Sequence, residues 1–81
     1  MAKFTTAGGL EFNCDYFNPS EYTKQLNIRI LGETLVRVAS VFSNPQETAA
    51  LQCDGIYAAS FTKLVAIVPE GNAIRVVLEK E

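Results

Sequence analysis

Strict alternation of apolar and polar residues in two segments is the feature that most constrains how this chain can fold. In residues 10–16 and again in residues 26–30, every second side chain is apolar. Side chains two positions apart lie on the same face of a strand, so each segment predicts a strand with one buried face and one solvent-exposed face. The apolar positions are Leu10, Phe12, Cys14 and Tyr16 in the first segment, and Leu26, Ile28 and Ile30 in the second.

The spacing of apolar residues changes from two to three or four after Glu33. We expect Glu33 to lie in the first turn of a helix, where a carboxylate stabilises the positive end of the helix dipole. Leu35 and Phe42 are expected to be the deepest anchors of this helix on the sheet. The stripe that recurs at helical spacing consists of Leu35, Val38, Ala39 and Phe42.

Residues 44–47 carry the marks of both a helix end and a helix start. Proline cannot continue a helix without losing a hydrogen bond, so Pro45 predicts that the first helix ends near Ser43. Asn44 is also a good helix cap, and Glu47 follows it by three residues. We interpret the segment as a single capped turn that reverses the chain. The alternative is an anion held by the free amides after Asn44.

The C-terminal half is expected to form antiparallel hairpins. Asp54-Gly55 is a strong hairpin signal, because both central residues of the favoured two-residue turn need positive φ. Residues 56–68 predict one long strand with a bend or bulge near residues 60–62. The predicted strand pairs are 49–53 with 56–60, and 62–68 with 73–79 through a turn at residues 69–72.

The order of these elements predicts the fold class. A short strand over residues 3–6 can precede the first long strand, and Asn18-Pro19-Ser20 is expected to break the chain before the second. The order β-β-α-β-β-β indicates a single α+β domain over residues 1–81, with one helix packed on an antiparallel sheet.

Composition excludes several classes of protein. With 48% hydrophobic residues the chain is too apolar for a disordered tail. Its net charge of −2 argues against sequence-independent binding of nucleic acid, which needs a basic face. No apolar run is long enough for a membrane span or a targeting signal, so we expect a protein made and kept in the cytoplasm.

Residues with catalytic or metal-binding chemistry are sparse. The sequence has no histidine, which removes the usual general base and the commonest metal ligand. Cys14 and Cys53 are expected to be reduced, and they can pair only if their strands are neighbours. Glu11 and Asp15 share a strand face but stand four residues apart, which favours a solvated surface over a catalytic pair. We expect no enzyme, no cofactor and no small-molecule substrate.

Aromatic residues supply the candidate interaction site. Tyr16 and Phe17 are adjacent, so on a strand they point in opposite directions and one of them is expected to be exposed. Tyr22 follows closely, in the segment DYFNPSEY. These three residues either pack around the loop or form a contact patch for another protein chain. A small core and free strand edges also predict self-association into a dimer or larger ring.

The segment from about residue 31 to residue 80 resembles small structural proteins of phages and prophages of Gram-positive gut bacteria, encoded near tail and baseplate genes. The resemblance lies in the helix from Thr34-Leu35 to Val41-Phe42, the Asn44-Pro45 turn with Thr48, and the hairpin residues Tyr57, Phe61-Thr62 and Leu64.

This resemblance implies a role in virion assembly and transfers no functional residue. We therefore expect a non-enzymatic structural protein that contacts itself and other structural proteins, made in the cytoplasm and incorporated in a virion. The alternative is a small adaptor or regulator that binds a host or phage protein.

Overall fold

Seven antiparallel strands form one sheet in the computed structural model, which describes residues 2–80. The elements are β1 (Ala2–Thr5), β2 (Glu11–Ser20), β3 (Gln25–Leu31), α1 (Leu35–Phe42), α2 (Pro45–Thr48), β4 (Ala50–Cys53), β5 (Ile56–Ala59), β6 (Lys63–Glu70) and β7 (Ala73–Glu79). Across the sheet the strand order is β5-β4-β1-β2-β3-β7-β6. The predicted α+β fold, with one main helix on an antiparallel sheet, is confirmed.

The sheet has two more strands than the order β-β-α-β-β-β contains, because the short N-terminal segment forms β1 and residues 56–68 form two strands. Ser60 adopts a positive φ of 69°, and its amide donates to the carbonyl of Ala49 at 2.9 Å. The chain therefore leaves the sheet after β5, and the prediction of one long strand is wrong. The interruption lies at the expected place, but it moves β6 to the opposite edge of the sheet instead of only bending it.

This connection forces the sheet to curl. β5 and β6 are the two edge strands, yet only Ser60, Phe61 and Thr62 join them. Four Cα–Cα steps of about 3.8 Å span at most roughly 15 Å, whereas seven flat strands about 4.8 Å apart would separate the edges by roughly 29 Å. The edges must therefore approach each other, which gives the sheet a concave inner face and a convex outer face.

The hydrophobic core fills the concave face under α1. Phe42 is almost fully buried, and its ring centroid lies 6.0 Å from that of Phe4 and 6.3 Å from that of Phe12. Val38 and Val41 complete the buried stripe of the helix. The prediction that Phe42 anchors the helix is confirmed.

The N-terminal end of α1 lies outside this core. Leu35 is 45% exposed, so its prediction as a deep anchor is wrong. The buried part of this eight-residue helix begins at Val38, and Leu35, the first residue of the same stripe, projects past the core. Glu33 precedes the N-cap Thr34 and so lies outside the helix, where its Oε2 contacts Arg37 Nη1 at 3.0 Å.

The segment after α1 is the predicted capped turn. Asn44 Oδ1 accepts a hydrogen bond from the amide of Gln46 at 3.0 Å, and Pro45 takes the first helical position of α2. The amides of Glu47 and Thr48 both donate to the carbonyl of Asn44. Because Asn44 occupies all three amides, the alternative of an anion site here is wrong.

Glu47 fastens this turn to the hairpin between β1 and β2. Its Oε1 accepts hydrogen bonds from Thr6 Oγ1 at 2.7 Å and from the amide of Gly8 at 3.0 Å. Its carbonyl accepts a third from the amide of Ala7 at 3.1 Å. A Cβ atom at Gly8 would collide with the Glu47 carboxylate, so only glycine allows this approach. We call Thr6, Gly8 and Glu47 the Glu47 clasp.

β2 continues through Asn18-Pro19-Ser20, so the predicted break there is wrong. The chain turns at residues 21–24 instead, where Lys24 has a φ of 58°. β1 pairs only with residues 11–14 of β2, which leaves one side of the second half of β2 without a neighbouring strand. A proline lacks a backbone donor and is tolerated on such an edge.

Candidate interaction surface

A β-bulge in β2 shapes the candidate site. Cys14 pairs with Ile30 and Tyr16 pairs with Arg29, so Asp15 is an extra residue opposite the same arginine. A bulge of this kind places two residues of one strand against one of its neighbour and redirects their side chains. Asp15 and Tyr16 are both exposed as a result, since two consecutive residues reach the outer face. The prediction from the alternation that Tyr16 shares the buried face of Phe12 and Cys14 is therefore wrong, because the bulge reverses the phase of the strand between Cys14 and Tyr16.

Beside the bulge, a row of side chains crosses the outer face. Tyr16 on β2 is opposite Arg29 on β3, Arg29 is opposite Arg75 on β7, and Arg75 is opposite Val68 on β6. Two like charges directly opposite each other destabilise a sheet. The register therefore places an unfavourable arginine pair at the middle of an exposed face.

Each of these arginines has an acidic neighbour at a long distance. Arg29 Nη1 lies 3.6 Å from Asp15 Oδ2, and Arg75 Nε lies 3.6 Å from Glu70 Oε2. Both distances exceed the usual length of a hydrogen bond, and all four side chains are between one-third and one-half exposed. Such ion pairs contribute little to stability, and they leave most guanidinium donors available to another acceptor.

Both arginines line a depression of about 470 Å³ on the outer face. It is lined by Asp15, Tyr16, Asn27, Arg29 and Arg75, and we call it the arginine depression. The Tyr16 hydroxyl accepts a hydrogen bond from the side-chain amide of Asn18 at 3.2 Å. Guanidinium and amide donors beside an aromatic wall are suited to binding an oxyanion such as a carboxylate.

The three predicted contact residues occupy different environments. Tyr16 is 51% exposed and lines the depression. Tyr22 is 96% exposed, but it lies in the turn after β2 and does not line the depression. The four strand residues that follow Tyr16 span about 13 Å and separate the two tyrosines. Phe17 is half-buried, with its ring centroid 5.9 Å from that of Phe4. The expectation that one of the two adjacent aromatics is exposed is confirmed, and Phe17 belongs to the packing of the core.

Asn27, Arg29 and Arg75 were not among the residues predicted to form the site. Their alternation with apolar neighbours marked them only as solvent-facing residues. What brings Arg29 to Arg75 is the pairing of β3 with β7, two strands separated in the chain by both helices and three other strands. No local signal in the sequence specifies that register.

The two cysteines meet in the core without forming a disulfide. Cys14 on β2 and Cys53 on β4 flank β1, and their Sγ atoms lie 3.9 Å apart. Both cysteines are free and buried in this structure. Burial raises the pKa of Cys14 to about 12, and the neighbouring Cys53 thiol adds to this effect. A thiol with this pKa is protonated at neutral pH and is a poor nucleophile.

Residues 2–80 contain neither a membrane-spanning helix nor a metal-binding cluster. No helix in this part of the chain is long and apolar enough to cross a membrane. Likewise, these residues contain no group of three or more cysteine, aspartate or glutamate side chains placed to hold a metal ion.

Comparisons with protein-family models, with curated proteins and with solved structures give no match. The chemistry and geometry of the outer face are therefore the basis for a functional proposal.

Proposed function

We propose that this chain is a non-enzymatic structural or assembly protein that acts through contacts with other protein chains. The observation that carries the proposal is the row formed by Tyr16, Arg29 and Arg75 on the outer face. Tyrosine and arginine are enriched at protein interfaces and often supply much of the binding energy. α1 packs on the concave side, which leaves this row accessible within residues 2–80.

The finer proposal is a component of a phage or prophage virion, in the tail or baseplate. The resemblance of residues 31–80 to small phage structural proteins supports it. The proposed partners are further copies of this chain and other structural proteins, and the proposed location is the assembled particle. A domain of 81 residues also has a small core, which favours association.

The strand edges are less suited to association than the outer face. β5 is only four residues long. β6 has eight residues, but it carries Lys63 at its start, a bulge at Val65 and Pro69 near its end. Short edge strands, lysine, bulges and proline all discourage pairing with another strand. This distribution supports contacts through the outer face, in place of the edge pairing expected from the sequence.

Mass measured by light scattering over a range of concentrations tests the proposal. We expect a mass of at least twice the 8.9 kDa of one chain at high concentration, falling on dilution. Tyr16→Ala should weaken the association. Tyr57→Ala is the matched control, because Tyr57 is similarly exposed but lies on β5, with β4 and β1 between it and β2.

A monomeric mass at every concentration would contradict self-association. It would favour the alternative, a small adaptor or regulator that binds a host or phage protein. Equal weakening by the two tyrosine substitutions would show that the interface is not centred on the row that contains Tyr16.

A further inference from the structure

We propose that the arginine depression binds a carboxylate of a partner protein, presented by an aspartate or glutamate in an acidic segment. This inference rests on the proposed function, and it specifies the chemistry of the partner at the same surface. The bound carboxylate lies over the strand pair β3–β7 and accepts hydrogen bonds from both Arg29 and Arg75.

The spacing of the two arginines suits a shared carboxylate. Arg29 and Arg75 are direct cross-strand partners on the outer face. Cβ atoms of such partners lie about 4.5–5.5 Å apart, so both long side chains reach a group placed above them. A guanidinium presents its donors as a planar fork that matches the two oxygens of a carboxylate.

The ion pairs that Arg29 and Arg75 make within the chain leave guanidinium donors available for a partner's carboxylate. Their contacts with acidic neighbours are both 3.6 Å long. Elsewhere in the fold, Arg37 lies 3.0 Å from Glu33, a distance typical of a formed hydrogen bond. Arg29 and Arg75 therefore keep donors that a partner's carboxylate can use at the shorter distance.

The arrangement of charge across the strands also favours an anion. The order of side chains is Asp15 on β2, Arg29 on β3, Arg75 on β7 and Glu70 on β6. Both acidic groups flank the arginine pair, and none lies between the two arginines. A carboxylate above the pair is attracted by two cations at close range, and it relieves their mutual repulsion.

Two features point to a carboxylate on a protein and not to a nucleic-acid phosphate. The whole chain has a net charge of −2 and only seven basic residues, whereas a nucleic-acid backbone is bound by basic side chains that neutralise many phosphates along its length. The depression is also continuous with the rest of the open sheet face, where Val68 stands next to Arg75. A polypeptide can contact that apolar side chain and Tyr16 while one acidic side chain occupies the depression.

Titration monitored by NMR tests this site, with hexaglutamate as the probe. Hexaglutamine is the uncharged control peptide, and inorganic phosphate tests whether any anion suffices. We expect hexaglutamate to shift the side-chain Nε signals of Arg29 and Arg75 and the amides of Tyr16 and Asn27. The double variant R29Q/R75Q should lose about tenfold or more in affinity, because it removes charge-assisted hydrogen bonds.

R37Q is the matched control, since it removes one positive charge from α1, away from the depression. Its affinity for hexaglutamate should equal that of the wild-type chain. R29Q and R75Q are also measured singly, each with an expected loss of several-fold, so that the test remains informative if the double variant does not fold.

Three results would overturn the inference. They are unchanged hexaglutamate binding when both arginines are replaced, equal binding of hexaglutamine, and phosphate binding at least as tight as that of hexaglutamate. If the wild-type chain self-associates in light scattering while any of these occurs, the proposed function stands and the carboxylate site fails. If hexaglutamate binds through the arginines but the chain is always monomeric, the site stands and self-association fails.

Discussion

The Glu47 clasp and the arginine depression are two polar clusters that differ in how far their hydrogen-bonding groups are satisfied within the fold. In the clasp, Glu47 accepts hydrogen bonds of 2.7 and 3.0 Å from Thr6 and Gly8, and Thr6 is buried. In the depression, the contacts of Arg29 and Arg75 with their acidic neighbours are 3.6 Å long and partly exposed. The first cluster uses its hydrogen-bonding groups within the fold, whereas the second leaves them open to solvent.

This difference separates a structural site from a binding site. The clasp joins segments about forty residues apart, with sequence separations of 41 and 39 residues for its two side-chain bonds. Removing it should loosen the attachment of the β1–β2 hairpin to the turn after α1. The arginines add little to folding, because exposed ion pairs of this length are weak. Four sets of substitutions test this comparison through their effects on the free energy of unfolding.

The largest contrast in stability is expected between removal of the Glu47 carboxylate of the clasp and removal of the Glu70 carboxylate beside Arg75. Glu47→Ala should lower the free energy of unfolding by about 2–3 kcal/mol, because it leaves the buried Thr6 hydroxyl and the Gly8 amide without their acceptor. Glu70→Ala should change it by about 0.5 kcal/mol or less, since Glu70 makes only an exposed ion pair. Urea denaturation of both variants provides the measurement. Equal losses in the free energy of unfolding would contradict this difference between a structural carboxylate and an exposed one.

Substitution of Gly8 tests the geometry of the clasp. Gly8→Ala should cost about 1–2 kcal/mol, because the new methyl group displaces the Glu47 carboxylate from its donors. In a Glu47→Ala background this cost should largely disappear, so the double-mutant cycle should show strong coupling.

Gly9→Ala is the control for that cycle. Gly9 has a φ of 91° and open space around its Cβ position, so its cost arises from the backbone conformation. That cost should persist whether Glu47 is present or absent. Coupling of similar size for Gly8 and Gly9 would rule out a specific steric role of Gly8.

The turn that presents Glu47 should tolerate loss of its proline. Pro45→Ala should cost about 1 kcal/mol or less, mainly by freeing the unfolded chain, because Asn44 still caps α2. Gly55→Val should cost more than this, roughly 1–2 kcal/mol, since Gly55 has a φ of 84° in the β4–β5 turn. Chemical denaturation of the two variants side by side gives the order. A larger loss from Pro45→Ala would place the critical restraint at the corner after α1.

The smallest change in stability is expected in the arginine depression. R29Q/R75Q should alter the free energy of unfolding by about 0.5 kcal/mol or less, because losing two weak ion pairs is offset by removing a like-charge contact. Thermal unfolding at low and high salt measures this balance. A loss above about 2 kcal/mol would mean that the arginines hold the sheet together, and it would contradict their assignment to binding.

Local patterns predicted most elements but not their neighbours. The alternation in residues 10–16 and 26–30, the helical stripe ending at Phe42 and the Asp54-Gly55 turn all correspond to observed elements. Asp54 and Gly55 both have positive φ, as the turn type requires. These features depend on residues close in sequence, where backbone geometry and side-chain periodicity are sufficient.

The errors occurred where distant segments decide the outcome. Leu35 fits the helical stripe, but its depth depends on where the curled sheet ends beneath the helix. Apolar side chains alternate through residues 56–68 with a break only at Lys63, and this alternation hid the division between β5 and β6, because each half is compatible with a strand. Pro19 remained within β2 because β1 is too short to pair beside it.

The sequence by itself determined an antiparallel α+β fold with a short amphipathic helix and a capped turn at Asn44. Only the tertiary structure decided that Glu47 meets Thr6 and Gly8, that Cys14 meets Cys53, and that Arg29 faces Arg75. The physical reason is that propensity and periodicity act over a few residues. Strand register and sheet curvature, in contrast, depend on packing between segments tens of residues apart, and a single bulge at Asp15 changes which side chains share a face.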